Sequence, residues 1–373
     1  MNTQEMRTQC AQQLAAATER ANQLTVFAGL DGFVDEIIHV VDKRDSAEVF
    51  QRVPSILKLG DRIKAAAGKS TNIELVVQRT KLGGNGPILA NALCSFGMKV
   101  VYLGALGYPN VHPVFTDFTT RAEVHSIAEP GYTDALEFED GKLMFGKTAQ
   151  LRDINWKSIQ ERFGLEKFSS QFSNANLVAF VNWTMMPYMT EIWEACHREL
   201  CPGLSGPRRT MFFDLADPEK RLLNDISKAL EFIGRFQEYF DVILGLNEKE
   251  AMALVEVLGL EKRETTPEGL SDLARDIIKT LNIGTLVIHP VRYALAADQN
   301  SVSLVEGPYV AEPLITTGAG DHFNSGFCLG KLLGLDNSMS VLTGVTTSGF
   351  YVRSGKSPTI QDLIDMLNDW PSR

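Results

Sequence analysis

The sequence has little with which to build a disulfide framework. Its five cysteines, Cys10, Cys94, Cys196, Cys201 and Cys328, are scattered, odd in number and form no CxxC pair. They read as free thiols of a protein in a reducing compartment. His39, His112, His125, His197 and His322 share no zinc-type spacing. Basic charge is short, with 36 Lys and Arg against 46 Asp and Glu and a formal net charge of -10. Nucleic acid needs a basic stripe to meet its phosphates, so that class of partner is excluded. A small anion can still be held by a local field. No apolar run reaches the length of a membrane span, which argues against a membrane partner. The N-terminal stretch MNTQEMRTQCAQQLAAATERANQL is polar and helical, with no apolar signal core. The cytoplasm is therefore the expected location. Repeats, low-complexity tracts and long biased linkers are missing too, so nothing marks a domain boundary.

What is present is alternation. LTVFAGL, KVVYLGAL, NLVAFVN, RTMFFDL, FDVILGL and GTLVIHP are continuous apolar runs bounded by polar or turn residues. Runs apolar on both faces suit strands buried in a parallel sheet. Amphipathic helical patterns such as DPEKRLLNDISKALEFIGRF lie between them, which predicts a doubly wound α/β fold. Ligands in such folds sit beyond the carboxyl ends of the strands. Two regions break the pattern. Thr133 to Gly146, TDALEFEDGKLMFG, alternates and then turns at Asp140-Gly141, which predicts a hairpin outside the parallel sheet. Residues 42–81 hold a helix-like stretch, AEVFQRVPSILKLGDRIKAAA, followed by the strand-like IELVVQR.

Three glycine-bearing stretches invite a phosphate reading. AAAGKST echoes a P-loop, but Ile63 stands where the motif needs glycine, and the flanking elements come in the wrong order. It reads as a loop. In LGGNGPILANALCSFG, Gly84-x-Gly86 begins a dinucleotide motif, but Leu89 replaces its third glycine. The paired glycines fit close backbone approach to a ligand. TTGAGDHFNSGF, from Thr316 to Phe327, says more. Gly318, Ala319 and Gly320 leave backbone N–H groups bare where a helix begins, which makes an anion site. Asp321 follows, and two readings stand side by side: a helix cap, or a base that takes a hydroxyl proton while the N–H groups hold a transferring phosphoryl group.

TTGAGDHFNSGF resembles the second signature of the ribokinase-like, or PfkB, carbohydrate kinases. Other segments agree in chain order over roughly residues 24–369. GLDGFVDEII looks like the first strand and its substrate aspartate. GGNGPILANALCSFGMKVVYLGALG has the spacing of the first signature. LGLNEKEA carries an NxxE element, and SGFYVRSGKSPTIQDLI is similar to the C-terminal segment beside the nucleotide.

The resemblance implies one ribokinase-like α/β domain over residues 1–373. Its doubly wound, mostly parallel sheet would have helices on both faces and a small β lid from about 36–82 and 121–149. It implies an ATP-dependent kinase that phosphorylates a hydroxyl of a sugar or related small polyol. Asp321 would be the general base, with Gly318, Ala319 and Gly320 as the anion hole. Asp35, or in the other register Asp31, would bind the acceptor with Gly83, Gly84 and Asn85. Asn247 and Glu250 would orient Mg2+, through water. Thr316 and Thr317 belong to the nucleotide side, where His289 and Arg292 would face ATP; the plain alternative is a strand-end histidine and a solvated arginine. A homodimer paired through the lid is also implied.

The chain departs from the family in three places: Ile88 stands where asparagine is usual, Ile315 stands where aspartate or asparagine is, and VIHPVRYALA lacks the glycine common in the nucleotide-side loop. The second position lies near a monovalent-cation site, so potassium dependence stays open. The motifs do not exclude a nucleoside kinase of the same fold, and Ile88 and Ile315 keep a non-catalytic sugar- or nucleotide-binding relative as a further alternative.

Overall fold

Nine strands form the central sheet of the computed structural model, which describes residues 2–371. Their order is Val302–Glu306, Tyr293–Ala297, Thr285–Ile288, Phe240–Leu246, Arg209–Asp214, Leu177–Phe180, Thr25–Leu30, Lys99–Gly104 and Glu123–Ser126. From Thr285–Ile288 to Glu123–Ser126 all neighbours are parallel; the first two strands are antiparallel additions. Every apolar run expected to be a buried strand lies in the parallel part. Side chains alternate across the sheet, so each strand feeds two cores. Val26, Ala28, Phe212 and Ile243 join the apolar cluster on one face. Phe27, Phe213 and Leu244 join the other. Among the described residues no helix is long and apolar enough to cross a membrane, and the five cysteines are free.

A second sheet of five strands grows out of the first. Strand Thr25–Leu30 runs through Asp31 and Gly32 directly into Phe33–Arg44. That strand pairs with Leu75–Gly83, Gly131–Glu137 and Phe50–Arg52, and Lys142–Lys147 completes the hairpin with Gly131–Glu137. A small core of Ile38, Val40, Val53, Leu59, Leu136 and Phe138 supports it.

Three details differ from the sequence reading. The helix expected from Ala47 to Ala67 spans only Ile56–Ala65, and Phe50–Arg52 is a strand. Pro54 disfavours helix at Val53, and Ser55 caps the helix by accepting from the Lys58 amide. Residues 123–126, expected in the lid, pair with Lys99–Gly104 in the central sheet. The second sheet also begins at Phe33, ahead of the expected 36. The topology places Asp31 and Asp35 at the passage from one sheet to the other. Gly83 ends the returning strand, and helix Asn85–Ser95 starts two residues later. Both features lie beyond the carboxyl end of a central strand, where doubly wound folds bind ligands.

Candidate active site

Helix Ala319–Leu332 opens at Gly318, whose φ of 92° is left-handed and favours glycine. A Cβ there would come within 3.2 Å of Tyr351 Oη and 3.3 Å of Ile88 Cγ2. Gly318 is the N-cap and makes no side-chain capping bond, so Asp321 is not the cap of this helix. The Ala319 amide donates to the Thr316 carbonyl at 3.1 Å. The next amides, of Gly320 and Asp321, belong to the first turn, which has no intrahelical acceptors.

Two aromatic side chains pin this loop from behind. Tyr351 Oη donates to the Thr317 carbonyl at 2.8 Å. His322 stacks on the Tyr351 ring at 3.6 Å, with Nδ1 2.7 Å from the Gly318 carbonyl and Nε2 2.9 Å from Ser357 Oγ. Burial lowers the His322 pKa to about 4, so the ring is neutral. A carbonyl only accepts, so Nδ1 carries the proton and Nε2 accepts from Ser357. No local sequence pattern signals this bracing.

Asp321 is 7% exposed. Asn85 Nδ2 donates to its Oδ1 at 2.9 Å. Burial pushes its pKa well above the usual carboxylate range; the Asn85 bond opposes this, and the charges of Asp31 and Glu250 add to it. Such a carboxylate is more basic than one in water.

Asp31 and Asp35 sit in different surroundings. Asp31 is fully buried, and its oxygens accept from the Gly86 amide at 2.9 Å and from Asn182 Nδ2 at 2.7 Å. Its carbonyl accepts from Tyr102 Oη at 2.7 Å. Burial, countered by these bonds, leaves its pKa at about 6. Asn182 adopts a left-handed backbone, φ 60°, and its Oδ1 is buried with no partner among the described residues. Asp35 stands in register with Lys81 on one side and Thr133 on the other. Burial raises its pKa, while Lys81 and Thr133 lower it. A Cβ on Gly83 would lie 2.3–2.5 Å from the Asp35 carboxyl, and one on Gly86 would lie 2.4 Å from Asp31 Oδ1. The close approach required at these glycines is to the two aspartates.

Asn247 and Glu250 form a capping box on helix Glu248–Leu258. Asn247 Oδ1 accepts from the Glu250 amide at 2.9 Å, and Glu250 Oε2 accepts from the Asn247 amide at 2.8 Å. Glu250 Oε1 accepts from the Asp217 amide at 2.8 Å. Burial raises the Glu250 pKa against these bonds. Asp214 completes an acidic group. It accepts from Asn324 Nδ2 at 2.9 Å and the Ala216 amide at 2.8 Å. Burial first, then the Glu250 and Asp321 charges, push its pKa well up. A divalent cation nearby would offset the repulsion that the Glu250 and Asp321 charges exert on Asp214, but among the described residues no three acidic, His or Cys side chains stand together closely enough to hold a metal directly.

A cavity of about 400 Å3 opens on the other side of the loop. Asn247, His289, Tyr309, Thr316, Gly320 and Val345 are among its walls. The His289 ring is enclosed by its neighbours, with one part toward the cavity, and packs on Phe323 at 4.9 Å. Burial lowers its pKa to about 4, so it is neutral. Arg292, expected to face the nucleotide, is not part of the wall; it is exposed, with its guanidinium 4.1 Å over the ring of Tyr309, which is. The second sheet reaches the loop through Lys142, whose Nζ lies 3.1 Å from Thr317 Oγ1 and 3.2 Å from Glu137 Oε1. Lys142 was missed in the sequence, where its only signal was a cation at the hairpin turn.

A two-sheet α/β fold with this loop defines the ribokinase-like carbohydrate kinases. Among solved structures, phosphofructokinase-2 from Escherichia coli, in complex with substrates and products, aligns at TM-score 0.63 and 14% identity, covering 94% of this chain and 99% of that one. Arabidopsis thaliana ribokinase complexed with ribose and ATP aligns at 0.61 and 14%, covering 92% and 98%. The sequence model of the prokaryotic ketohexokinases matches residues 1–370. A ketohexokinase from Haloferax volcanii is 30% identical over 347 residues, 92% of this chain and 91% of its own. The chain belongs to the prokaryotic ketohexokinase family. It is a carbohydrate kinase, a phosphotransferase with an alcohol group as acceptor.

Proposed function

We propose that this kinase transfers the γ-phosphoryl group of ATP to a hydroxyl of a ketohexose, with Asp321 as general base. The observation that carries the reading is the placement of Asp321: a buried carboxylate in the first turn of a helix behind a bare glycine loop, held by Asn85. Its raised pKa suits proton removal from an alcohol. The amides of Gly318, Gly320 and Asp321 would meet the phosphoryl oxygens, where fixed dipoles act without reorganisation. Asp35 would orient the acceptor hydroxyls, while Asp31 holds the Gly86 turn and, through it, Asn85. ATP would occupy the cavity walled by His289 and Tyr309, with Thr316 beside its phosphates.

Both Glu250 oxygens already accept backbone amides, so Asn247 and Glu250 would hold Mg2+ only through water. Bound with the nucleotide, it supplies charge neutralisation of the phosphates. Lys142 ties the lid to Thr317, and the closed lid excludes water. The lid sheet exposes Leu75, Val77, Met144 and Phe145, which supports pairing of two copies through it. The test is ADP release with ATP and Mg2+ over a panel of ketohexoses, aldoses and nucleosides. The reading expects a ketohexose to give the highest kcat/KM. A nucleoside as best acceptor would replace it with the nucleoside-kinase alternative, and no stimulation by any acceptor would sink it.

A further inference from the structure

The returning lid strand Leu75–Gly83 and helix Asn85–Ser95 border a cavity of about 690 Å3, a size suited to a small ligand. Its wall carries Arg79, Lys81, Arg121 and Lys356 against one carboxylate, Asp117. This local excess of positive charge sits in a chain of formal charge -10. None of the four cations takes part in an ion pair among the described residues. Asp117 is the one carboxylate on the wall, and Lys81 already feels the charge of Asp35 across the lid strands; the cations still outnumber these acids, so an anion is the natural complement.

The same wall also has neutral groups that would read hydroxyls. Asn91 Oδ1 is buried with no partner, an acceptor that lacks a donor. Ser95 and Ser357 stand beside it. A ligand that satisfies both sets carries phosphate at one end and hydroxyls at the other. Asp31, Asp35, Asn85 and Asp321 do not line this cavity, and it shares no lining residue with the cavity assigned to ATP. Arg79 and Lys81 also border the space beneath the lid.

His322, Tyr351 and Ser357 are part of the wall. They are the residues that pin the glycine loop: Ser357 holds His322, His322 holds the Gly318 carbonyl, and Tyr351 holds the Thr317 carbonyl. A molecule in the cavity therefore touches the back of the anion hole without entering it.

We propose that this cavity is a second anion site, which takes a small hydroxylated phosphate monoester and reports its occupancy to the glycine loop. The ligand class is that of the products a sugar kinase makes. The regulatory half of the inference rests on the kinase reading; the binding half does not. The chemistry on the two sides of the wall is different: adenosine phosphates meet apolar and aromatic side chains in one cavity, and the phosphate ester meets cations in the other.

Isothermal titration of the full chain with glucose 6-phosphate, in the absence of nucleotide, tests binding. Saturable binding is expected, weakened at least about tenfold by Arg121→Glu as charge-assisted bonds are lost, with Arg121→Gln in between. Arg121 is exposed, so both variants should fold. In ADP-release assays the wild type should change rate as the ester is added, while Arg121→Glu keeps the ester-free rate and loses the response. No saturable binding overturns the proposal. So does binding that Arg121→Glu leaves untouched, since the ester would then be in the acceptor site. A protein that releases no ADP with any acceptor defeats the kinase reading alone, and the titration still decides the binding site.

Discussion

Asn85 Nδ2 donates to Asp321 Oδ1 across 2.9 Å, joining residues 236 positions apart in the chain. One comes from the turn after the lid, the other from the helix behind the glycine loop. The bond favours the ionised carboxylate, while burial opposes it. Removing it leaves burial with less to counter it, so the Asp321 pKa should rise. Activity that needs ionised Asp321 rises with pH through that pKa. In Asn85→Ala the acid limb of the kcat/KM profile should therefore move to higher pH. An unmoved limb would show that the carboxylate reporting in the profile is not Asp321.

The space at Gly83 predicts an effect confined to the acceptor. In Gly83→Ala the new methyl group would overlap the Asp35 carboxyl, which must move. Misplacing an orienting group by about 1 Å can cost about 100-fold. Expected is a loss of about ten- to a hundredfold in kcat/KM for the acceptor, with KM for ATP within about twofold. Steady-state kinetics with each substrate varied separately checks it. Equal losses for both substrates would point to general disruption.

Asp31 should show itself in stability rather than in acceptor affinity. Its pKa rises from 3.8 in the unfolded chain to about 6 in the fold. A carboxyl that holds its proton more tightly when folded favours the fold most at low pH, and that advantage is lost as pH rises from about 4 to about 6. Two pKa units amount to about 3 kcal/mol. The Tm of the wild type minus that of Asp31→Asn should fall over this window, measured by thermal melts at each pH. A flat difference would remove the linkage.

Tyr351→Phe keeps the ring that stacks on His322 and deletes the hydroxyl that holds Thr317. The loss of one hydrogen bond should cost about 1 kcal/mol of stability. If the loop is held in a working position by this bond, kcat should fall about fivefold, since about 1 kcal/mol is worth that factor. Melting and turnover measured together separate the two effects; a stability loss with unchanged kcat would make Tyr351 a packing residue only.

Much of this site was legible in the sequence because its signals are local. The six apolar runs are buried strands since period and length alone distinguish them. Asp321 and the glycine loop lie within one short segment, and so do Asn247 and Glu250. What could not be read depends on partners far apart in the chain. The different surroundings of Asp31 and Asp35 depend on Asn182, Tyr102 and Gly86, which engage Asp31, and on Lys81 and Thr133, which engage Asp35. The Asn85–Asp321 bond, the return of His322 onto Gly318 and the reach of Lys142 to Thr317 have no local pattern. The strand at residues 123–126 looked like lid because its sequence does not say which sheet it joins. The helix boundary at Ile56 was visible in Pro54 and Ser55, where the broader helical pattern outweighed it.

The most direct measurement is Mg2+-dependent ADP release with a ketohexose, for the wild type and Asp321→Asn, alongside the ATP affinity and Tm of both. Asparagine keeps the shape of the side chain but removes the proton acceptor. The central claim predicts a loss of about two to four orders of magnitude in kcat, with ATP affinity and Tm nearly unchanged. Activity that survives in Asp321→Asn while Tm falls steeply would contradict it, and would make Asp321 a structural residue of the helix.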